Sequence, residues 1–155
     1  MARVSVAGSN IRINGLVDLQ RELRKINEKL PKALGDVNKD VADYVVHRAQ
    51  GRASTPLEHR AADTLKAARQ QRVALVRMGG AKNPEALGAE FGAIRNIPRN
   101  TGRGIVRGWN QFREWRGNDE SAGYFLFPTI RDDTPQIIDR YAELIDRLCK
   151  KAFPS

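Results

Sequence analysis

The sequence predicts an α+β fold, with helices laid on one face of a small, mainly antiparallel sheet. Two long N-terminal segments carry apolar residues at helical spacing, short β-branched runs stand before and after them, and an amphipathic segment closes the chain. A chain of 155 residues can bury a core without disulfides, so we expect residues 1–155 to form a single domain.

The first predicted elements are two short β-branched runs, residues 4–6 and 11–13. The turn-type sequence Gly8-Ser9-Asn10 separates them, so they pair as a hairpin or form one kinked strand.

Two long helices are predicted next. The first is indicated by apolar residues at steps of three and four: Leu16, Leu19, Leu23, Ile26 and Leu30. The second begins near Pro31, which suits a first helical turn because its missing N–H costs nothing there, and it runs to about Ala49. Since almost no loop separates them, the pair forms an antiparallel hairpin or one helix bent at Pro31.

Shorter elements complete the prediction. Residues 57–70 carry a thin, alanine-rich stripe that indicates a third helix, and residues 73–76 indicate a strand. Residues 87–91 and the aromatic run 124–127 are predicted as further short strands. The last helix spans about 135–150, with Thr134 as its N-cap and Pro135 in its first turn.

Residues 93–118 show neither helical nor strand periodicity and are predicted to form a long extended arm. Six arginines, one acid and three aromatic residues lie within it. Because Trp and Arg are enriched at interface hot spots, we expect the arm to contact a neighbouring subunit. The alternatives are a loop folded back on the domain's own core and an arm that binds nucleic acid by charge and base stacking. The interface residues predicted in the arm are Arg95, Arg99, Arg103, Arg107, Trp109, Phe112, Arg113, Trp115 and Arg116.

Directly before the arm, Glu90 is the one acid in the run Leu87-Gly88-Ala89-Glu90-Phe91-Gly92. A hydrolase that uses Glu90 is an alternative, but a catalytic carboxylate usually works with a second carboxylate or a metal, and no other acid lies in the predicted strand. We therefore assign Glu90 and Phe91 to the interface, with Glu90 paired to an arginine of the same or the next subunit. Phe91 also anchors the strand end in the core, and Gly88 and Gly92 are predicted hinge residues.

No catalytic residue, metal ligand or cofactor is predicted. His47, His59 and Cys149 lack the spacing of a zinc site, and no phosphate-binding glycine loop is present, so the sequence does not indicate an enzyme. One cysteine and no signal peptide or apolar span indicate a protein of the cytosol with no membrane partner. The net charge of +9 suits nucleic acid or an acidic protein surface as a partner, and it suits equally a solvated basic face that needs no ligand.

Several short motifs occur in a fixed order along the chain. They are Gly15-Leu16-Val17-Asp18-Leu19, the Leu87 to Gly92 run, and Tyr124-Phe125-Leu126-Phe127-Pro128-Thr129-Ile130-Arg131. Together they resemble the tail-component family of long-tailed bacteriophages of the lambdoid or siphovirus type, which includes tail-completion and head–tail joining proteins. The segment Gln111-Phe112-Arg113-Glu114-Trp115-Arg116-Gly117-Asn118 resembles the version in phages of actinobacteria. The chain departs from the family pattern at residues 55–60, where many members have Pro-x-x-Thr-Gly, and at Ala93, where many have Thr.

The resemblance implies a structural virion protein of the phage neck, assembled in the host cytoplasm. Such a protein is not an enzyme. It forms a homo-oligomeric ring, with six copies expected, around the DNA channel. Its implied partners are the head connector or stopper and the tail terminator or tail tube proteins, and its basic charge also allows non-specific contact with DNA in the channel. A ring requires that one surface of a subunit meets a different surface of the next, and the arm is a suitable device for that contact.

Overall fold

The structure is a computed structural model that describes residues 4–7, 10–13, 16–26, 28–94, 98–100, 102–103, 105–107, 111–117 and 119–154. Its elements in order are β1 (Val4–Ala7), β2 (Asn10–Ile13), α1 (Leu16–Ile26), α2 (Leu30–Arg52), α3 (Pro56–Ala62), β3 (Lys66–Ala68), β4 (Ala74–Arg77), α4 (Ala86–Phe91), β5 (Pro98–Asn100), β6 (Ile105–Arg107), α5 (Leu126–Asp132) and α6 (Thr134–Ala152). The mixture of helices and antiparallel strands confirms the α+β class.

The main sheet has four antiparallel strands in the order β1-β2-β4-β3. Strands β1 and β2 form a hairpin, which selects one of the two arrangements predicted for them. In β4 the side chains of Ala74 and Val76 are buried whereas Arg77 is exposed, as expected for a strand with one covered face. Helix α2 packs against both β3 and β4 and so covers that face.

Helix α2 is the centre of the core. Its apolar positions recur at helical spacing, and α1, α5 and α6 pack against it in addition to the sheet. Asn38 lies within this core, where its amide donates to the carbonyl of Gln70 and its oxygen accepts from the hydroxyl of Tyr141 in α6. At the junction between α5 and α6, Asp133 forms a 2.6 Å ion pair with Arg48 of α2. That hydrogen bond lowers the pKa of Asp133.

Four predicted elements differ in the structure. The predicted helix 57–70 ends at Ala62, because the chain turns at Thr64 and residues 66–68 pair with β4 as a strand. The predicted strand 87–91 is helix α4, which packs against α3 and ends where the Gly92 N–H donates to the Gly88 carbonyl. Thr134 is the first residue of α6 rather than its cap, and the N-cap is Asp133.

The fourth difference is the predicted strand 124–127. The chain there enters helix α5 at Leu126. Pro128 lies in the first turn of that helix, where the proline nitrogen has no intrahelical carbonyl to bond and is therefore tolerated. The aromatic residues that favour a strand by residue type instead lie at the start of a helix and pack in or against the core. Phe125 is fully buried.

Candidate interaction site around Glu90 and the arm

Glu90 caps a helix that lies 35 residues further along the chain. Its side chain is 0% exposed. Oε2 accepts hydrogen bonds from the N–H groups of Phe125 (3.2 Å) and Leu126 (3.0 Å), and Oε1 accepts one from Phe127 (2.9 Å). These are N–H groups at the start of α5, which have no carbonyl partner inside the helix. The carboxylate therefore replaces the side-chain cap that α5 lacks.

Burial raises the pKa of Glu90, and its hydrogen bonds from three N–H groups oppose that shift only in part. The charge of Glu58 raises the pKa further. Glu90 forms no ion pair within the part of the chain that the structure describes. Since none of its surface is exposed, we remove Glu90 from the predicted interface.

Gly123 makes room for this carboxylate. A Cβ atom at Gly123 would overlap Oε1 of Glu90, and the backbone has φ +84°, a conformation that L side chains rarely adopt. Glycine at position 123 thus lets the chain pass close to Glu90, just before the N–H groups of residues 125–127 reach the carboxylate.

The last part of the arm, residues 111–117, lies on the chain's own body, and we call it the return leg. The Ala93 N–H donates to the Arg113 carbonyl (2.9 Å), and the Arg116 N–H donates to the Phe91 carbonyl (2.6 Å). Ala93 and Glu114 form a parallel bridge. The chain leaving α4 and the chain returning to the body are thus held side by side.

Aromatic contacts fix the return leg. The ring of Trp115 lies 6.3 Å from that of Phe91, which in turn meets Phe127 of α5 edge-on at 5.1 Å. The Tyr124 hydroxyl donates to the Glu114 carbonyl (2.7 Å). Phe91 is half-buried at the end of a helix rather than of a strand, and its ring links Trp115 to Phe127.

Arg113 fixes the return leg electrostatically. Its guanidinium donates to Oε1 of Glu58 (3.0 Å) and lies 4.0 Å from the centre of the Tyr124 ring. Glu58 is 1% exposed and also accepts hydrogen bonds from Ser54. Burial alone would raise the pKa of Glu58, but the Ser54 hydrogen bonds and Arg113 together lower it.

The two predicted hinge glycines have different positions. Gly88 lies within α4, and a Cβ atom there would come within 2.5 Å of the Phe112 ring, so a glycine allows close packing at this position, and its hinge role stays a prediction. Gly92 has φ +74° and ends the helix, and a Cβ atom would overlap the Glu114 carbonyl. Gly92 is thus the turn from which the arm starts, as predicted, and whether it moves stays a prediction.

The remaining predicted interface residues lie further out in the arm. Arg99 is in β5 and Arg107 is in β6, which pair as a two-stranded antiparallel hairpin, so strand structure does occur in the segment predicted to have none. Arg103 is exposed. Arg95 and Trp109 lie outside the described residues. Arg116 is exposed, with its guanidinium 5.2 Å from the Tyr124 ring.

Glu58 and Tyr124 also hold the return leg, although neither is among the interface residues that the sequence predicts. Thr55 and Glu58 form a capping box at the start of α3, and a Thr followed three residues later by Glu is a readable signal for it. Nothing in the sequence marks Arg113, 55 residues away, as the partner of Glu58.

No group of His, Cys, Asp and Glu residues in the described part of the chain is arranged to hold a metal ion. Within those same residues, no helix has the length and apolar character needed to cross a membrane. Comparisons with protein-family models, curated proteins and solved structures find no match for this chain.

Proposed function

We propose that this protein is a structural subunit of a bacteriophage neck, forming a ring around the DNA channel that joins the head connector to the tail tube. The observation that carries the proposal is that three of the four motifs of the resemblance, those at residues 87–92, 111–118 and 124–131, are joined by direct contacts. Glu90 binds the N–H groups of residues 125–127, and Phe91 contacts both Trp115 and Phe127. Motifs that depend on one another physically are expected to occur together, which supports treating the set as a family pattern.

In this proposal the sheet and the two N-terminal helices form the body of the subunit, and the arm reaches a neighbour. The partners are other copies of the chain, six in the ring, together with the head connector or stopper and the tail terminator or tail tube. The location is the virion. The subunit carries out no catalysis and needs no cofactor. Exposed apolar side chains at the base of the arm support an assembly role, since clustered ones mark interaction surfaces.

The test separates the outer arm from the return leg. Residues 95–110 are replaced by a short Gly/Ser linker, and residues 111–117 are kept because they stabilise the body. In a phage carrying this gene, we expect unjoined heads and tails by electron microscopy and a loss of infectious particles of at least a hundredfold. The purified variant should keep the wild-type unfolding midpoint, which shows that the body is intact. Particles of wild-type yield and infectivity would refute the neck function.

The second candidate function is binding of nucleic acid, and one surface feature favours it. Lys66 of β3 and Arg77 of β4 are paired directly across the strands, and both are exposed. Neither has an ion-pair partner among the residues that the structure describes. Like charges directly opposite are unfavourable, so a phosphate group between them would stabilise the pair.

Filter binding with duplex DNA tests this candidate. Phosphate contacts predict that affinity falls steeply with salt, and replacing both Lys66 and Arg77 by Gln should lower the slope of log affinity against log salt by about 2. The absence of binding at low salt rules the candidate out.

A further inference from the structure

Three large apolar side chains are exposed around the base of the arm, and we call this surface the apolar patch. Leu87 is 62% exposed, Ile94 62% and Trp115 43%. Leu87 lies one helical turn before Phe91, on whose ring Trp115 rests, so these side chains share one side of α4. Ile94 and Trp115 directly follow the bridged residues Ala93 and Glu114, which places them next to each other along the two chains.

The patch has a basic edge. Arg113 and Arg116 both belong to the return leg, and both guanidinium groups lie over the ring of Tyr124, at 4.0 and 5.2 Å. Arg113 is already paired with the buried Glu58 (3.0 Å), so the uncompensated charge of this edge belongs to Arg116, which forms no ion pair with another residue that the structure describes. Their positions are therefore fixed before any partner arrives, which reduces the entropy lost on binding.

A second exposed apolar surface runs along α6, and we call it the apolar stripe. The inward face of α6 uses Ile137, Tyr141 and Leu148, which are buried in the core. About a quarter turn around α6 from this buried face, apolar residues recur at steps of three or four positions. Ile138 is 44% exposed and Phe153, just after the helix, is 51% exposed, while the positions between them are exposed or half-buried. The members of the stripe are Ile138, Ala142, Ile145, Cys149 and Phe153.

The stripe has an acidic edge. Asp139, Glu143 and Asp146 each follow a stripe residue by one position, and this spacing puts them on one side of it. Lys150, which follows Cys149, lies at the end of the same side, where it pairs with Asp146 (2.6 Å). Glu143 and Asp146 form only exposed ion pairs within α6, with Arg147 and Lys150, and such pairs are weak. Asp139 forms no ion pair with another residue that the structure describes.

We propose that the apolar patch of one copy docks on the apolar stripe of the next copy; this rests on the proposed ring function and names the two surfaces that meet. Apolar side chains meet apolar side chains, and the basic edge meets the acidic edge. Patch against patch would bring arginines together, and stripe against stripe would bring carboxylates together. The contact is therefore between two different surfaces, which is the kind that closes into a ring.

Two charge-neutral variants test the pairing. The patch variant carries Leu87→Gln and Ile94→Gln, and the stripe variant carries Ile138→Gln and Phe153→Gln. Size-exclusion chromatography with light scattering gives the mass. We expect a ring for the wild-type chain and a monomer for each variant alone. In an equimolar mixture, one intact patch can meet one intact stripe, so the expected product is a heterodimer and nothing larger.

Val17→Gln is the matched control, because Val17 is 49% exposed and belongs to neither surface; it should form rings as the wild type does. The inference is overturned if the wild-type chain stays monomeric, if either variant forms rings, or if the mixture stays monomeric. Rings that persist in both variants would refute these surfaces and leave the neck function standing. Infectious particles from the arm replacement would refute the neck function whatever the mixture shows.

Discussion

Two buried glutamates cap the starts of two seven-residue helices, and they do so in opposite ways. Glu58 belongs to α3, the helix whose start it caps, and it has an arginine partner in Arg113. Glu90 belongs to α4 and caps the distant helix α5, with no ion pair in the described part of the chain. The pKa of Glu58 is lowered and that of Glu90 is raised. A local cap shapes one turn, whereas the distant cap joins two parts of the fold.

The largest expected effect is at the distant cap. Glu90→Ala leaves three buried N–H groups without an acceptor, and each stranded group costs roughly 1–3 kcal/mol, so we expect a loss of about 3–5 kcal/mol in the free energy of unfolding. Urea denaturation followed by circular dichroism measures it. A loss below about 1 kcal/mol would show that water replaces the carboxylate and that the cap does not hold α5.

Gly123→Ala should have the next largest effect, a loss of about 2–4 kcal/mol in the free energy of unfolding. The new Cβ atom meets Oε1 of Glu90, and a side chain strains the backbone at this positive φ. Gly102→Ala is the matched control: Gly102 has φ +74° but open space around it, so only the strain of roughly 1 kcal/mol remains. Thermal unfolding of both variants gives the difference. Equal losses would mean that the contact with Glu90 adds nothing.

The segments around Glu90 and Gly123 also show the limit of prediction from the sequence. Helix α6 was predictable because its apolar residues recur at helical spacing over its whole length. Residues 87–91 and 124–127 resemble strands in sequence, because short apolar runs have no decisive period. The start of α5 is capped by a side chain 35 positions earlier in the chain, and a local pattern does not contain such a contact.

The candidate site was predictable to a similar degree. Trp115 and Arg113 were selected by residue type, since Trp and Arg are common at interfaces. Their own-chain partners Phe91 and Glu58 come from other elements, so the folded-back return leg stood only as an alternative to an arm that contacts a neighbour. The exposure of Leu87 follows from the helical turn of α4, which the sequence did not predict.

A smaller effect is expected at the local cap. Thr55→Ala removes the hydroxyl that accepts the Glu58 N–H (3.2 Å), and loss of such a cap costs about 1 kcal/mol. Glu58→Gln should cost more, about 2 kcal/mol, since it also removes the charge that faces Arg113. Chemical denaturation of both variants checks this order. A larger loss for Thr55→Ala would indicate that Arg113 contributes nothing through Glu58.

The smallest effect is on the pH dependence of stability, and its sign differs between the two acids. The lowered pKa of Glu58 contributes stability above its unfolded value of 4.5, and that stability is lost as pH falls through the folded pKa. The raised pKa of Glu90 gives the opposite slope: stability falls as pH rises from 4.5 towards the folded pKa.

Denaturant midpoints between about pH 3 and pH 8 measure both slopes. Glu90→Gln should remove the fall in stability as the pH rises above 4.5. Glu58→Gln should remove part of the rise in stability as the pH approaches 4.5 from below. Unchanged pH profiles in both variants would contradict the opposite shifts.

The bridge between Ala93 and Glu114 closes the intervening chain into a loop. The entropy of closing a loop grows only slowly, so doubling its length costs about 0.6 kcal/mol. The body therefore places little constraint on how long the intervening segment is or what it contains. Residues 95–110 are a natural insertion site, where a different recognition element can be exchanged while the same scaffold carries it.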